Sequence, residues 1–391
     1  MAIRTDEIQA ALRAEELDGW LLYDFHGLNP IARRIAGLHG FVTRRWFLLI
    51  PATGEPEVIC HLMEEIGFAG VPGRHHHYRT WQELDALLKQ ILSGRKRVAM
   101  EYSPGNAIPY VARVDAGTVE KVRALGTEVV SSADLVAQFS ARWSPKQIAL
   151  HRRAAAGLLE IKDRAFALIG DHVRGRKTLT EYAVAAFVRK EFARLGLICD
   201  DGPICAVDAN AGNPHYEPDS QSSARIDAGQ LILLDLWAKC DEPEAAYADI
   251  TWTGFTGPTV PSTIASVFAP VAAARDGAVA FVNERLRAGQ LVHGYEVDAA
   301  AREVIVKSGY GDRFLHRTGH SIGTQVHDVG PNIDGLETQD RRRLQEGMAF
   351  TIEPGIYLAE FGIRSEINVL IQNGKAEITT LPLQTEVTPI V

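Results

Sequence analysis

Four carboxylates and one imidazole lie in short, chemically distinctive segments in the second half of the chain. They are Asp235 in LLDLW, Asp249 in YADIT, His320 in TGHSIG, Glu353 in TIEPG and Glu366 in IRSEI. Together they form a hard, oxygen-rich ligand set of the kind that divalent cations prefer. A pair of such cations can activate a water molecule between them. If the side chains converge, the chain is a metal-dependent hydrolase; if they do not, they are ordinary acids on strands.

The spacing of the two aspartates predicts that they face each other across an antiparallel hairpin. Residues 231–238 and 246–253 are strand-like runs, and Asp235 and Asp249 are mirror images about Glu242 in the loop between them. Directly opposed residues in such a ladder have Cβ atoms about 4.5–5.5 Å apart. Two aspartates at that separation repel each other unless a cation lies between them.

The same construction recurs nearer the C-terminal end. Residues 348–358 and 363–371 are strand-like, and Glu353 and Glu366 are mirror images about the turn between them. A shift in register would instead leave the carboxylates facing solvent. Two opposed carboxylate pairs, together with the histidine of TGHSIG, favour a shared metal cluster over solvent-facing acids.

Patterns along the rest of the chain predict the elements that hold these residues. Strand-like runs alternate with helical patterns over the first 140 residues, which is typical of a small α/β domain. Ser144 and Pro145 predict the N-cap and first position of a long helix. Strand patterns punctuated by glycine and proline dominate from residue 200 onward and indicate an α+β domain. The histidines at 75–77 are expected in a surface loop or a subunit-contact segment, because adjacent extended residues point in alternate directions and do not easily ligate one ion.

The segments that carry the ligand set resemble the motifs of a known family. LLDLW, YADIT, TGHSIG, HDVG, TIEPGIY and IRSEI are similar to those of the creatinase/prolidase-type pita-bread metallopeptidases, which include Xaa-Pro dipeptidases, aminopeptidase P and methionine aminopeptidases. The motifs lie within residues 203–371, and the region before them resembles the extra domain of prolidases and aminopeptidase P. The resemblance implies an α+β fold, with a catalytic pita-bread domain over residues 141–391 and an N-terminal α/β creatinase-like domain over residues 1–140.

The resemblance also implies a role for each ligand. Asp235 would chelate one metal, Asp249 and Glu366 would bridge both, and His320 and Glu353 would bind the other. The two divalent ions would be Mn²⁺, with Co²⁺ or Zn²⁺ as alternatives, because a carboxylate-rich set does not choose among them. A hydroxide bridging metals about 3.5–4 Å apart would be the nucleophile. Glu353 would act as general base and acid, carrying the water proton towards the leaving nitrogen.

Three further residues match the catalytic residues of that family. His327, in HDVG, would stabilise the tetrahedral intermediate on the carbonyl side of the substrate. His215, in NPHYEPD, would contact the bound peptide, whereas the plain structural alternative is a loop histidine near a proline turn. Arg364, two residues before Glu366, would pair with a carboxylate of the site.

Three features depart from the family pattern. Trp237 stands where a small glycine is common, and Trp252 stands where many relatives have arginine. The loop between Asp235 and Asp249 looks longer than in many relatives. None of these removes a metal ligand, but together they leave open which substrate pocket is built.

The predicted function is a dinuclear metal-dependent exopeptidase that hydrolyses the Xaa-Pro bond of dipeptides or short peptides. That bond is a tertiary imide without an N–H, which general peptidases handle poorly. An Xaa-Pro dipeptidase is slightly favoured over an Xaa-Pro aminopeptidase, because the modest length leaves no extra domain for longer substrates. Two alternatives stay open: a metal-free, creatinase-like hydrolase, and a catalytically silent pita-bread module that binds a peptide or a protein. The resemblance also implies a homodimer.

Composition narrows the partners and the compartment. The chain has 391 residues, a net charge of −8 and a pI of about 5.9. This acidic balance argues against nucleic acid or an anionic membrane as the partner. No secretory signal is visible, the longest apolar runs are too short to span a bilayer, and the four cysteines lack CxxC spacing. We therefore expect a cytoplasmic protein with reduced cysteines.

Overall fold

The computed structural model describes residues 4–391. The chain divides into two compact units, the first ending at Ser140 and the second running from Ala141 to Val391. All four cysteines are free thiols.

The first unit is a mixed six-stranded sheet with helices. Its strands are β1 (Gly19–Asp24), β2 (Trp46–Pro51), β3 (Glu57–His61), β4 (Arg74–Tyr78), β5 (Arg97–Met100) and β6 (Glu128–Ser131). Its helices are α1 (Thr5–Ala14), α2 (Pro30–Ala36), α3 (Glu65–Phe68), α4 (Trp81–Leu92), α5 (Ala116–Ala124) and α6 (Ala133–Ser140). The strand order is β4-β3-β2-β1-β5-β6, and β2 runs antiparallel to both of its neighbours. Because β1 and β2 are buried along their whole length, both faces of the sheet are covered.

The histidines at 75–77 lie in β4, so the surface loop, one of the two predicted settings, is wrong. β4 is an edge strand that pairs in parallel with β3, and an edge tolerates polar side chains better than a central strand does. Nε2 of His76 lies 3.2 Å from Oε2 of Glu57, whereas Nε2 of His77 lies 3.8 Å from Oε1 of Glu65. These two histidines therefore contact different carboxylates.

The second unit combines long helices with three sheets. Its helices are α7 (Pro145–Arg174), α8 (Glu181–Arg194), α9 (Ser262–Arg287) and α10 (Gly294–Lys307). Its strands are β7 (Leu197–Ile198), β8 (Ile204–Val207), β9 (Leu231–Cys240), β10 (Ala248–Phe255), β11 (Ala349–Ile352), β12 (Gly355–Tyr357), β13 (Gly362–Arg364), β14 (Ile367–Gln372), β15 (Lys375–Ile378) and β16 (Thr388–Pro389). The sheets are β16-β10-β9-β7 with β8 also on β9, then β11-β14-β15, and β12-β13.

The long helix α7 begins where the sequence predicted. Ser144 is its N-cap and accepts a hydrogen bond from the backbone N–H of Gln147, whose side chain accepts one from the backbone N–H of Ser144. Pro145 occupies the first helical position, where its missing N–H costs nothing. Apolar residues of α7, such as Leu158 and Ile161, pack in one core with β9 and β10. The opposite face of that strand pair is therefore free to carry polar side chains.

Among the helices of residues 4–391, α9 alone is long and apolar enough to cross a membrane by length and composition. Its middle carries Arg275, which is 1% exposed. The guanidinium of Arg275 donates to Ser365 Oγ at 2.7 Å and to the carbonyl oxygen of Gln384 at 2.8 Å. A buried cation bonded to the polar atoms of its own unit identifies α9 as a core helix, which accounts for its apolar composition.

Candidate metal centre

The two aspartates lie on adjacent strands and share one face of the sheet. Asp235 of β9 pairs with Thr251, and Asp249 of β10 pairs with Trp237. The predicted direct opposition is therefore wrong: the carboxylates are diagonal neighbours. The turn is centred on Pro243, one residue later than predicted, and the N–H of Ala245 closes it by donating to the carbonyl of Glu242 at 3.1 Å. A turn centred one residue later changes the strand partner of Asp235 from Asp249 to Thr251, two positions along β10. Both aspartate side chains therefore stay on the same face of the sheet.

The register predicted for the two glutamates is confirmed. Ile352 of β11 pairs with Ile367 of β14, and the β12–β13 ladder continues in the same register. Glu353 and Glu366 consequently occupy mirror positions in the gap between the two ladders. The two glutamates are therefore directly opposite each other on the two arms of one hairpin.

The hairpin is interrupted at the glutamates because their backbone N–H groups bond elsewhere. The N–H of Glu353 donates to the carbonyl of Thr318 at 2.7 Å, and that of Glu366 donates to the carbonyl of Thr251 at 3.2 Å. Pro354, next to Glu353, has no N–H to offer the ladder. These bonds fasten the hairpin to the TGHSIG segment and to β10.

The imidazole and the carboxylates come together in the interior of the second unit. Asp249, His320 and Glu366 each offer a ligand atom within 4.8 Å of the others, and all three residues are buried. Nε2 of His320 lies 3.7 Å from Oδ2 of Asp249 and 3.4 Å from Oε1 of Glu353. Asp235 is also buried. The alternative that the acids face solvent is therefore wrong.

The donor set fits a cation because one buried oxygen lacks a partner. Among the described residues, Oδ1 of Asp249 has no hydrogen-bond donor. A buried, unsatisfied polar atom costs on the order of 1–3 kcal/mol, and more when it is charged. A divalent ion beside this oxygen would remove that cost.

Arg364 lies beneath the cluster and connects three of its strands. The guanidinium donates to a carboxylate oxygen of Asp235, to Thr251 Oγ1 at 3.0 Å and to the Tyr357 hydroxyl at 3.0 Å. Thr251 in turn donates to Oε2 of Glu366 at 2.8 Å. Arg364 is 5% exposed, so it is a fixed positive charge for the carboxylates.

The orientation of His320 is also fixed by hydrogen bonds. Its backbone N–H donates to Thr351 Oγ1 at 2.9 Å, and the Thr351 hydroxyl donates to Oε1 of Glu353 at 3.1 Å. Nδ1 of His320 lies 3.2 Å from the carbonyl oxygen of Ser321. A carbonyl accepts, so Nδ1 carries the proton, which leaves the Nε2 lone pair facing the carboxylates.

The other two predicted histidines lie at the edge of this cluster. The His327 ring packs edge-on against the His320 ring, with centroids 4.1 Å apart. Desolvation, followed by the charge of Arg317, lowers the pKa of His327 to about 4, and the charge of His215 contributes in the same direction. His215 itself is exposed, and its backbone N–H donates to Asn213 Oδ1 at 3.0 Å. His215 is thus within electrostatic range of His327 without being part of the ligand group.

The two tryptophans lie on opposite faces of the sheet. Trp252 packs in the apolar core with α7, and Nζ of Lys162 lies 3.8 Å above its ring. It therefore points away from the carboxylates and does not shape a pocket beside them. Trp237 is the strand partner of Asp249 and shares the face of the ligands. A Cβ on Gly202 would lie 2.4 Å from the Trp237 ring, so the chain passes directly over the indole.

Burial and mutual repulsion shift the protonation of the cluster. Burial, followed by the charges of Asp235 and Glu353, raises the pKa of Asp249 well above its usual range. Burial, followed by the charge of Asp249, likewise raises the pKa of Glu366 well above its usual range. Burial raises the pKa of Glu353 to about 7, and burial lowers the pKa of His320. A divalent cation would reverse these shifts of the carboxylates.

The metal-free protein is expected to lose stability as the pH rises from about 6.5 to 8. The folded state holds Glu353 with a pKa of about 7, so near neutrality it binds more protons than the unfolded chain, and stability falls as the pH rises. Buried histidines with lowered pKa, such as His151 and His316, act in the opposite sense up to about pH 7.5, and they do so in both proteins compared below. Melting temperatures in EDTA across this range, for wild type and Asp249→Asn, measure the effect.

The variant should show a smaller fall in melting temperature, because it removes one of the repelling carboxylates. The N-terminal Glu101, whose pKa burial raises to about 7, contributes equally to both proteins. The difference between the two slopes therefore isolates the cluster. Equal slopes would contradict the proposed repulsion.

Several residues that hold the site were not singled out from the sequence: Thr251, Thr351, Asn368, Tyr357, and His316, whose Nε2 lies 2.7 Å from the Tyr357 hydroxyl. Asn368 is a clear case, since its amide accepts from the N–H of Asp249 at 2.9 Å and donates to the carbonyl of Asp249 at 2.8 Å. The available signal was strand alternation, because a residue two positions from a ligand shares its face. Asn368 stands two positions after Glu366.

The chain is similar in sequence to known peptidases. It matches metallopeptidase family M24 over residues 150–373, a stretch that contains all five predicted ligands. It is 27% identical over 388 residues to the putative dipeptidase YkvY of Bacillus subtilis, across 95% of this chain and 98% of that protein. It is 36% identical over 160 residues to an Xaa-Pro dipeptidase of Pyrococcus furiosus, across 40% of this chain and 42% of that one.

Solved structures show the same architecture over almost the whole chain. Dipeptidase PepE from Mycobacterium ulcerans superposes with a TM-score of 0.75 at 24% identity, over 99% of this chain and 97% of that one. The prolidase from Pyrococcus horikoshii superposes with a TM-score of 0.66 at 23% identity, over 98% and 99%. At these identities the likeness concerns the fold.

Proposed function

The chain belongs to metallopeptidase family M24, and from that membership we propose that it is an Xaa-Pro exopeptidase with a dinuclear metal centre. It has the pita-bread fold that the sequence predicted, preceded by an N-terminal α/β region. The observation that carries the proposal is the convergence of buried ligands around an unsatisfied oxygen of Asp249. That convergence disfavours both a metal-free hydrolase and a silent binding module.

The proposed ligands divide between two ions. Asp235 would bind one ion, His320 and Glu353 would bind the other, and Asp249 and Glu366 would bridge them. Four carboxylates and one imidazole suit Mn²⁺, although Co²⁺ and Zn²⁺ accept the same donors. When bound, two such cations would make a water molecule acidic and polarise the scissile carbonyl.

Glu353 is proposed to move the proton during hydrolysis. Its carboxylate accepts a hydrogen bond from the Thr351 hydroxyl at 3.1 Å and lies 3.4 Å from Nε2 of His320. A carboxylate held in this way could accept the proton of the attacking water and pass it on. The proton has to reach the proline nitrogen, because that nitrogen leaves as a secondary amine.

The histidines are proposed to act on the carbonyl side of the substrate. Desolvation and the charge of Arg317 lower the pKa of His327, so its ring is neutral at neutral pH and keeps one N–H to donate. That N–H would stabilise the negative charge that develops on the carbonyl oxygen. His215, on the exposed loop beyond His327, is proposed to contact the bound peptide.

Arg364 is proposed to orient the ligands and not to touch the substrate. It donates to Asp235 and, through Thr251, is linked to Glu366. Hydrogen-bonded partners of this kind hold ligands in place and tune their basicity.

A dipeptide with C-terminal proline is the favoured substrate. The relative aligned over nearly its whole length is named a putative dipeptidase, and a shorter alignment reaches an Xaa-Pro dipeptidase. Protein loaded with Mn²⁺ is expected to hydrolyse Ala-Pro at least about tenfold more efficiently, in kcat/KM, than Ala-Pro-Ala or Ala-Ala. The released amino acids are quantified by chromatography.

The three peptides separate the outcomes of this assay. Ala-Pro-Ala cleaved better than Ala-Pro would identify an aminopeptidase. Equal cleavage of Ala-Ala and Ala-Pro would overturn the proline preference. No cleavage of any of the three would refute the proposed peptidase function.

A further inference from the structure

A second buried carboxylate lies outside the metal cluster, at the start of α8. Glu181 is the first residue of this helix and is fully buried. Thr180 caps the helix by accepting from the backbone N–H of Ala183 at 3.3 Å. A carboxylate in the first turn is favoured by the helix dipole, but that position does not explain why the side chain is buried.

The carboxylate of Glu181 accepts hydrogen bonds from the end of β8 and from the loop that follows it. Its Oε1 accepts from the backbone N–H of Val207 at 2.7 Å and from Nδ2 of Asn210 at 3.0 Å. Its Oε2 accepts from the backbone N–H of Ala224 at 2.7 Å and from the Tyr216 hydroxyl. Val207 ends β8, and the other three donors lie in the segment that joins β8 to β9, residues 208–230, which we call the His215 loop because it carries that histidine.

The other side of the His215 loop rests directly on the β12–β13 hairpin. A Cβ on Gly362 would lie 1.9 Å from the carbonyl oxygen of Ala211, and a Cβ on Gly212 would lie 2.4 Å from that of Leu358. Backbone approaches this close are possible only at glycine. The hairpin ends at Arg364, the partner of Asp235. The His215 loop is thus held between Glu181 and an element of the metal centre.

We propose that Glu181 is a positioning residue that sets the place of His215 through its hydrogen bond to the neighbouring Tyr216. This inference rests on the proposed peptidase function, in which His215 contacts the peptide. A carboxylate is required because donors approach both of its oxygens. A glutamine would turn an NH₂ group towards the donors on one side and leave them unsatisfied.

A double-mutant cycle on Mn²⁺-loaded protein with Ala-Pro tests the proposal. Tyr216→Phe removes one hydroxyl and keeps the ring. It should raise KM roughly tenfold, with kcat changed less than about twofold, because the loss acts on substrate binding. In a His215→Ala background, Tyr216→Phe should change KM less than about twofold, because Tyr216 is proposed to affect KM only by positioning His215. The matched control is Tyr182→Phe, which makes the same chemical change at an exposed tyrosine next to Glu181 on α8.

The outcomes separate this proposal from the function it rests on. If the wild-type protein does not hydrolyse Ala-Pro, the proposed peptidase function is refuted. Active wild type with an unchanged KM in Tyr216→Phe, or with equal effects of Tyr216→Phe in both backgrounds, overturns the positioning role. Should Tyr216→Phe fail to fold, Asn210→Ala removes another donor to Glu181 and completes the same cycle, with the same result expected.

Discussion

Replacement of Glu353 by glutamine is expected to lower kcat for Ala-Pro by about 10²–10⁴-fold. The amide keeps an oxygen that can bind a cation, but it cannot accept the water proton or return it to the leaving nitrogen. KM should change little, because the proton transfer belongs to the transition state and not to substrate binding. Steady-state kinetics with Mn²⁺-loaded variant measures both constants.

The control for this substitution is Glu360→Gln. Glu360 lies in the exposed turn of the same hairpin, so the change in charge and chemistry is identical while the site is untouched. Metal content is measured alongside, so that a loss of ions is distinguished from a loss of proton transfer. A Glu353→Gln variant that binds its metals and retains wild-type kcat would show that the base is another residue.

The glutamate hairpin was predictable because local rules decide it. Strand alternation and one short turn fix the register about residues 359–360, and the pairing of Ile352 with Ile367 follows. The start of α7 was equally local, since Ser144, Pro145 and Gln147 carry the N-cap signature in sequence. Features set within a few residues of one another can be inferred from one sequence.

The aspartate hairpin was predicted on the right face but two residues out of register. The missing information was the turn itself: it closes with the N–H of Ala245 on the carbonyl of Glu242, so its centre is Pro243 and not Glu242. The face of Trp252, which the sequence analysis left open, follows from strand alternation: three positions after Asp249, the tryptophan lies on the opposite face and packs with α7.

Glu181 had no signal in the sequence that set it apart from an ordinary first-turn acid. Its importance comes from four donors more than twenty residues later in the sequence, one at the end of β8 and three in the loop that follows. The pairing of Arg364 with Asp235 was also not predictable from the sequence, because the two side chains are 129 positions apart. A sequence can suggest that an arginine pairs with a carboxylate, but the partner is chosen by tertiary packing.

Removal of divalent cations is the second change for which a large effect is expected. Chelation should lower kcat/KM for Ala-Pro at least about 10³-fold, since a cation in such a site contributes several kcal/mol to transition-state stabilisation. The side chains left behind repel each other, and the pKa of Asp249 and of Glu366 then lies above its usual range. Readdition of Mn²⁺ should restore activity, because the ligands are positioned by their own hydrogen bonds.

Titration of the chelated protein with Mn²⁺, with Ala-Pro hydrolysis as the readout, tests the central claim most directly. Activity is expected to rise with added metal and to reach its plateau at about two equivalents per chain, as a site with two bridging carboxylates requires. A plateau at one equivalent would contradict the dinuclear centre. Full activity in chelator, or no hydrolysis at any Mn²⁺ concentration, would contradict the assignment of Asp235, Asp249, His320, Glu353 and Glu366 as the metal centre of a peptidase.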